Sequence, residues 1–267
     1  MSEEASQAFW RPSAPAWLLY LVLASAATGV YFLISGPVRV HVYVLIGLSM
    51  LVAILVGIRR NRPNPALPWY VIAFGLSLFV TGDVVYFEGY EILLGIPAPY
   101  PSIADVCYQS SYVVTAVGLT LLIHRSGRRR DWSGLIDAGI IAAALGIVAW
   151  VFLMQPYSQN YSITLLVRLF SMAAPLLSLL WVVVAVRLWF AIRASTRPAA
   201  FYLLVTGILL HPLVDVVYAY LLLNDAYNPN LPINATWMLS YAFFGAAALH
   251  PSMRELSQTP LSSEKGF

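Results

Sequence analysis

Charge is scarce in this chain, and cysteine is almost missing. Only 10% of the 267 residues are Asp, Glu, Lys or Arg, against 60% hydrophobic residues. Mean hydropathy is +0.76, too apolar for a soluble domain of this length. The single cysteine, Cys107, excludes an intramolecular disulfide. Histidine is sparse as well: His41, His124, His211 and His250 never fall two to a helix face at ligand spacing. No metal, haem or other cofactor is therefore expected. P-loop, HExxH, GxSxG and dinucleotide-type glycine patterns are all missing, so no catalytic residue is assigned and the chain is not read as an enzyme.

Long apolar runs are what the chain has instead. A helix needs about 20 mostly apolar residues to cross a bilayer. Eight stretches qualify: 15–35, 40–58, 68–93, 102–124, 132–154, 161–192, 198–223 and 232–250. The runs are continuous rather than alternating, which selects helices over a closed barrel. The expected fold class is all-α, a polytopic membrane bundle of about eight helices. The sixth run exceeds what a span requires, so it should tilt, kink near Pro175 or project beyond the bilayer. Residues 1–14 form a polar tail without the basic start of a secretory signal, making the first span a retained anchor.

The basic residues sort to one side. Arg11, Arg59, Arg60, Arg62, Arg125, Arg128, Arg129, Arg130, Arg187, Arg193, Arg197, Arg254 and Lys265 share it, whereas the opposite connections hold Arg39. The positive-inside rule then places both termini in the cytoplasm. The arginine runs read as topology signals beside anionic headgroups, and no nucleic acid is implied. The expected partner is the lipid bilayer, with a cytoplasmic signalling partner or a second copy of the chain as further partners. The triplets at Asn160 and Asn234 are read as chance matches to a glycosylation pattern.

One pattern occurs twice. Tyr70-x4-Gly75-x7-Asp83-Val84-Val85-Tyr86 returns as Tyr202-x4-Gly207-x7-Asp215-Val216-Val217-Tyr218, an offset of 132 residues (83 to 215). Tyr108-x2-Ser111-Tyr112 returns as Trp237-x2-Ser240-Tyr241, at an offset of 129 (112 to 241). The copies, 68–124 and 198–250, both run in-to-out and back, so they are expected to be parallel repeats about an axis along the membrane normal. Residues 132–192 read as a degenerate third hairpin, the transmembrane domain as 15–254 and 255–267 as a cytoplasmic tail.

An aspartate inside a span costs roughly 2.5–3.5 kcal/mol to insert, so one in each copy points to a buried polar centre. Asp83, Tyr86 and Tyr90 are spaced i, i+3, i+7 on one helix face, and His211, Asp215 and Tyr218 repeat that face. One reading is an outward-facing pocket for a small cationic or polyhydroxyl ligand, lined by Asp83, Tyr86, Tyr108, Tyr112, His211, Asp215, Tyr218, Trp237 and Tyr241. The other is structural, each aspartate hydrogen-bonded across its own hairpin. Pro212 frees a carbonyl for an ion or a neighbour's hydroxyl. Ser102 and Asp105 spell a capping box, and Asp137 reads as a helix-start residue. Arg168 either snorkels outward or pairs with an aspartate.

Gly82-Asp83-Val84-Val85-Tyr86, Pro99-Tyr100-Pro101-Ser102-Ile103-Ala104-Asp105, Tyr108-x3-Tyr112 and the ending Ala248-Leu249-His250-Pro251-Ser252-Met253 carry a resemblance. Over about residues 65–254 the chain resembles the N-terminal multi-span membrane module of bacterial diguanylate cyclases and phosphodiesterases with GGDEF or EAL output domains. The 267 residues contain neither output segment, so the resemblance bears on the membrane part alone. It implies a sensory or anchoring role in the bacterial cytoplasmic membrane. A small-solute transporter or channel is the alternative that parallel repeats also suit. An intramembrane enzyme using the paired aspartates is a third.

Overall fold

The computed structural model describes residues 15–125, 132–192, 197–228 and 231–257. The expected N-terminal tail, 1–14, and residues 258–267 of the expected tail 255–267 lie outside them, as do Arg128, Arg129, Arg130 and Arg193. The described residues are helical with short connections. In order they form α1 (Ala16–Tyr31), α2 (Pro37–Asn61), α3 (Leu67–Asp83) and a π-helical continuation, Val84–Leu93. Next come α4 (Ile103–Arg125), α5 (Trp132–Ala149), a π-helical turn at Trp150–Met154 and α6 (Gln155–Gln159). The chain continues through α7 (Leu165–Ala191), α8 (Ala199–Leu223), α9 (Asn234–Leu249) and α10 (Met253–Ser257).

Among the described residues six helical stretches are long and apolar enough to cross a membrane: 37–61, 67–93, 103–123, 136–159, 165–191 and 199–223. The chain is thus a helical membrane bundle. The first and last expected spans are helices of only 16 residues, α1 and α9. At 1.5 Å per residue each covers about 24 Å, short of the ~30 Å hydrocarbon core. α7 continues through Pro175 and α8 through Pro212 as single helices.

Lipid tails are as apolar as leucine, so helices in a bilayer associate through close packing and hydrogen bonds. Glycine supplies the closeness. A Cβ on Gly75 would strike Thr115, and one on Gly118 would come within 2.8 Å of Ile72 N, which fixes α3 against α4. A Cβ on Gly57 would strike the Ala248 carbonyl, and one on Gly245 would meet the Tyr20 ring. These contacts seat α9 against α1 and α2, and α9 also packs along α8. Most of α9 is buried, including the unbroken run Phe244 to Leu249. α5 lies at the periphery against α7, presenting Ile136, Ile140 and Ile147 outward.

Candidate functional site

The two aspartates of the repeated pattern meet the donors of both copies. Asp83 ends α3 at 2% exposure. Its Oδ1 accepts the Tyr108 hydroxyl at 3.1 Å and its Oδ2 the Tyr241 hydroxyl at 2.6 Å. Asp215, half-buried on α8, accepts the Trp237 indole N–H on Oδ1 at 3.0 Å. Its Oδ2 accepts the hydroxyls of Tyr112 and Ser178. Tyr108 and Trp237 are counterparts, and each bonds the aspartate of its own copy. Tyr112 and Tyr241 are also counterparts, and each bonds the aspartate of the other copy. The donors cross.

This arrangement corrects one part of the structural reading: the aspartates are not tied across their own hairpins alone. An α4 hydroxyl holds the α8 carboxylate, and an α9 hydroxyl holds the α3 carboxylate. Charge-assisted bonds of this kind offset the desolvation of a carboxylate, which otherwise costs several kcal/mol. Trp181 adds a further tie, donating from Nε1 to the Tyr112 carbonyl at 3.0 Å.

His211 lies between the two carboxylate groups and is fully buried. Its ring centroid is 4.4 Å from Phe79, its counterpart at the 132-residue offset, 5.1 Å from Trp181 and 6.1 Å from both Tyr112 and Tyr241. Its Nδ1 is 3.1 Å from Ser240 Oγ. Ser240 spends its only hydrogen on the Gly207 carbonyl at 2.8 Å, so Nδ1 must be the donor. With the ring proton on Nδ1, Nε2 is a bare acceptor, buried and without a partner. The carbonyl that Pro212 releases belongs to Ile208. The neighbour's hydroxyl goes one residue earlier, to Gly207.

In the first copy Phe79 stands in the histidine's place and offers no donor. Ser111, the counterpart of Ser240, has a buried hydroxyl with no hydrogen-bond partner. The two half-sites are therefore unequal at the centre. They also differ beyond Asp83, where Val84–Leu93 widens to i→i+5 hydrogen bonding while α8 continues regularly to Leu223. That widening corrects the expected face of Asp83, Tyr86 and Tyr90. More residues per turn means that i, i+3 and i+7 no longer stack. Tyr86 packs on Phe87 instead, centroids 5.0 Å apart.

The second aromatic set lies at the end of the bundle away from the arginine runs. Tyr218 meets Tyr227 edge-on at 4.7 Å and Trp237 at 5.4 Å. Burial pushes the Tyr227 phenol up to about 12, opposed by its hydrogen bond to Asn234 and aided by nearby Tyr31, Tyr86 and Glu91. At the same end His41 Nδ1 pairs with Glu88 Oε1 at 2.6 Å. Burial likewise raises Tyr100, whose hydroxyl accepts from Ser171 at 3.1 Å. Of the expected capping box one half forms: Asp105 Oδ2 accepts the Ser102 N–H at 2.7 Å, and the Ser102 hydroxyl donates to the same oxygen at 2.8 Å instead of accepting the Asp105 N–H. Asp137 lies beyond the first turn of α5 and is exposed. The Arg168 guanidinium stacks 4.9 Å over Tyr161.

Of the nine residues expected to line a pocket, seven, Asp83, Tyr108, Tyr112, His211, Asp215, Trp237 and Tyr241, lie in or against the carboxylate network. Tyr218 touches that network through Trp237, and Tyr86 stands apart. Ser178, Trp181 and Phe79 were not among the residues expected there. Ser178 and Trp181 belong to the stretch with the weakest repeat. Phe79 was readable as the 132-residue counterpart of His211. Among the described residues no group of three or more His, Cys, Asp or Glu side chains could hold a metal ion. Comparison with family models, characterised proteins and solved structures gives no match.

Proposed function

We propose that this protein is a sensory or regulatory module of a bacterial signalling system, held in the cytoplasmic membrane with both termini inside. It comprises eight helices, α1 to α5 and α7 to α9, arranged around two parallel hairpin repeats. One observation carries the reading: each repeat's carboxylate is held by a tyrosine of the other repeat. Two equivalent bodies about a two-fold axis make reciprocal contacts of this kind, i to j and j to i. A network that spans both bodies is well suited to sensing their relative position. A small cation or polyhydroxyl compound reaching half-buried Asp215 from outside, past Trp237 and Tyr218, competes with the donors that hold it. Its differential affinity for two arrangements of the hairpins biases their equilibrium. The change passes along α9, which carries Trp237 near its start and Tyr241 at its middle and leads into α10.

The test uses the full chain in lipid nanodiscs, with tetramethylammonium and glycerol as probes of the two ligand classes. One of them should raise the thermal midpoint in a concentration-dependent way, and Asp215→Asn should abolish the shift. No shift with either probe contradicts ligand sensing at this site. Liposome flux of the probe that depends on Asp83 and Asp215 assigns the protein to transport instead.

A further inference from the structure

The segment after α9 is short, polar in part, and buried. Ser252, Met253, Leu256 and Ser257 are at most 7% exposed. Its hydrogen bonds go to the starts of two different helices. The Ser257 hydroxyl accepts the Trp69 indole N–H at 2.8 Å, and Trp69 lies in the first turn of α3. The Ser252 hydroxyl accepts the Ala200 backbone N–H at 3.0 Å, and Ala200 lies in the first turn of α8. That N–H is one of the four a helix start leaves without an internal partner. Pro198, at the cap position, supplies no side-chain bond for it. The C-terminal turn therefore caps one repeat and receives the indole of the other.

The same turn is fastened to α9 and α2. Asn61 Nδ2 donates to the Ala248 carbonyl at 2.8 Å and the His250 carbonyl at 3.1 Å. His250 Nδ1 accepts the Ser252 N–H at 3.1 Å and lies 2.8 Å from the Ser252 hydroxyl. Between this turn and Tyr241, α9 presents the small, fully buried residues Ala246, Ala247 and Ala248 to its neighbours. Close-packed contacts of this type shift between discrete arrangements rather than deforming smoothly.

We infer that α10, with Ser252 before it, is a clasp that closes only when the two hairpins stand in one relative position. This inference rests on the sensory reading and names its output element. Hydrogen bonds weaken steeply once stretched beyond their narrow length range. A relative shift of α3 and α8 of about an ångström must break either the Trp69–Ser257 bond or the Ala200–Ser252 bond. The clasp then opens on the side bearing the arginine runs. The crossed tyrosines, Tyr112 on α4 and Tyr241 midway along α9, set that relative position.

Hydrogen–deuterium exchange on the full chain in nanodiscs tests this. Ser257→Ala opens the clasp directly and sets the scale. Tyr241→Phe, about 12 Å along α9 from Leu249, should speed exchange of amides 253–257 at least five-fold, and Tyr112→Phe should do the same. Ser171→Ala removes a bond outside the network and should leave them within two-fold of wild type. Unchanged exchange at 253–257 in a folded Tyr241→Phe or Tyr112→Phe protein overturns the inference. So does an increase shared equally by peripheral α5, which reports general loosening. Where one tyrosine variant fails to fold, the other, whose bond crosses between the copies in the same way, decides the outcome. The perturbation is made by substitution, so failure of the ligand experiment leaves this result unaffected.

Discussion

At the scale of the residue, the chemistry is concentrated in two carboxylates and the donors that satisfy them. Asp83 takes two hydroxyls and Asp215 takes two hydroxyls and an indole N–H. Leaving a buried polar atom without its partner costs roughly 1–3 kcal/mol, more when charge is involved. His211 is the contrasting case, since its Nε2 already lacks a partner. His211→Phe removes that unpaired acceptor, and Phe79 shows that a phenyl ring suits the corresponding place in the other copy. Thermal unfolding should show a smaller loss for His211→Phe than for Tyr112→Phe, and a larger loss for His211→Ala, which leaves a void. A larger loss for His211→Phe than for Tyr112→Phe would argue that the histidine's bond to Ser240 outweighs its bare nitrogen.

The positions of these residues were legible because the pattern repeats at nearly constant offsets. Their pairing was not. A one-dimensional repeat places Tyr112 and Tyr241 in equivalent positions without stating which aspartate each reaches. Ser178 was illegible for a different reason: serines in apolar spans are common, and nothing at the matching position of either repeat marks this one.

Among the elements, α9 and the segment after α3 determine most of the geometry. α9 is too short to span comfortably, yet it is the helix around which α1, α2 and α8 assemble. Its packing depends on small residues, so volume added there cannot be absorbed. Gly57→Val would push a side chain into the Ala248 backbone carbonyl, which cannot move aside. A loss of about 1–3 kcal/mol is expected in denaturant or thermal unfolding. A neutral result would mean that α2 and α9 separate easily. The π-helical stretch at Val84–Leu93 could not be read from sequence, because Asp-Val-Val-Tyr is the same in both copies and only one copy widens.

The turn below α9 also has a defined response to pH. Burial pushes the His250 imidazole below its usual value, with the Glu255 charge opposing. Its Nδ1 accepts from Ser252, so protonation would set a donor against donors. A depressed folded value means the stabilising contribution is present above the unfolded value of about 6.5 and is lost as pH falls through the folded value. Wild-type stability should therefore decline on acidification below about pH 6.5, and His250→Asn should flatten that limb. Parallel acid limbs in the two proteins would remove His250 from the account.

For the molecule as a whole, apolar composition leads directly to a helical membrane bundle, and among the described residues six helices meet the length and hydropathy needed to cross. The bilayer gives these helices little reason to associate beyond packing and polar bonds. The glycine contacts and the crossed carboxylates therefore carry the tertiary organisation. Asp83 and Asp215, each held by a tyrosine of the other copy, tie the two hairpins to each other. Double-mutant cycles on the crossed pairs, Tyr112→Phe with Asp215→Asn and Tyr241→Phe with Asp83→Asn, measure this in thermal or denaturant unfolding of the full chain. Each crossed pair should show a coupling of about 1–3 kcal/mol. Additivity within about 0.5 kcal/mol in both cycles would contradict it.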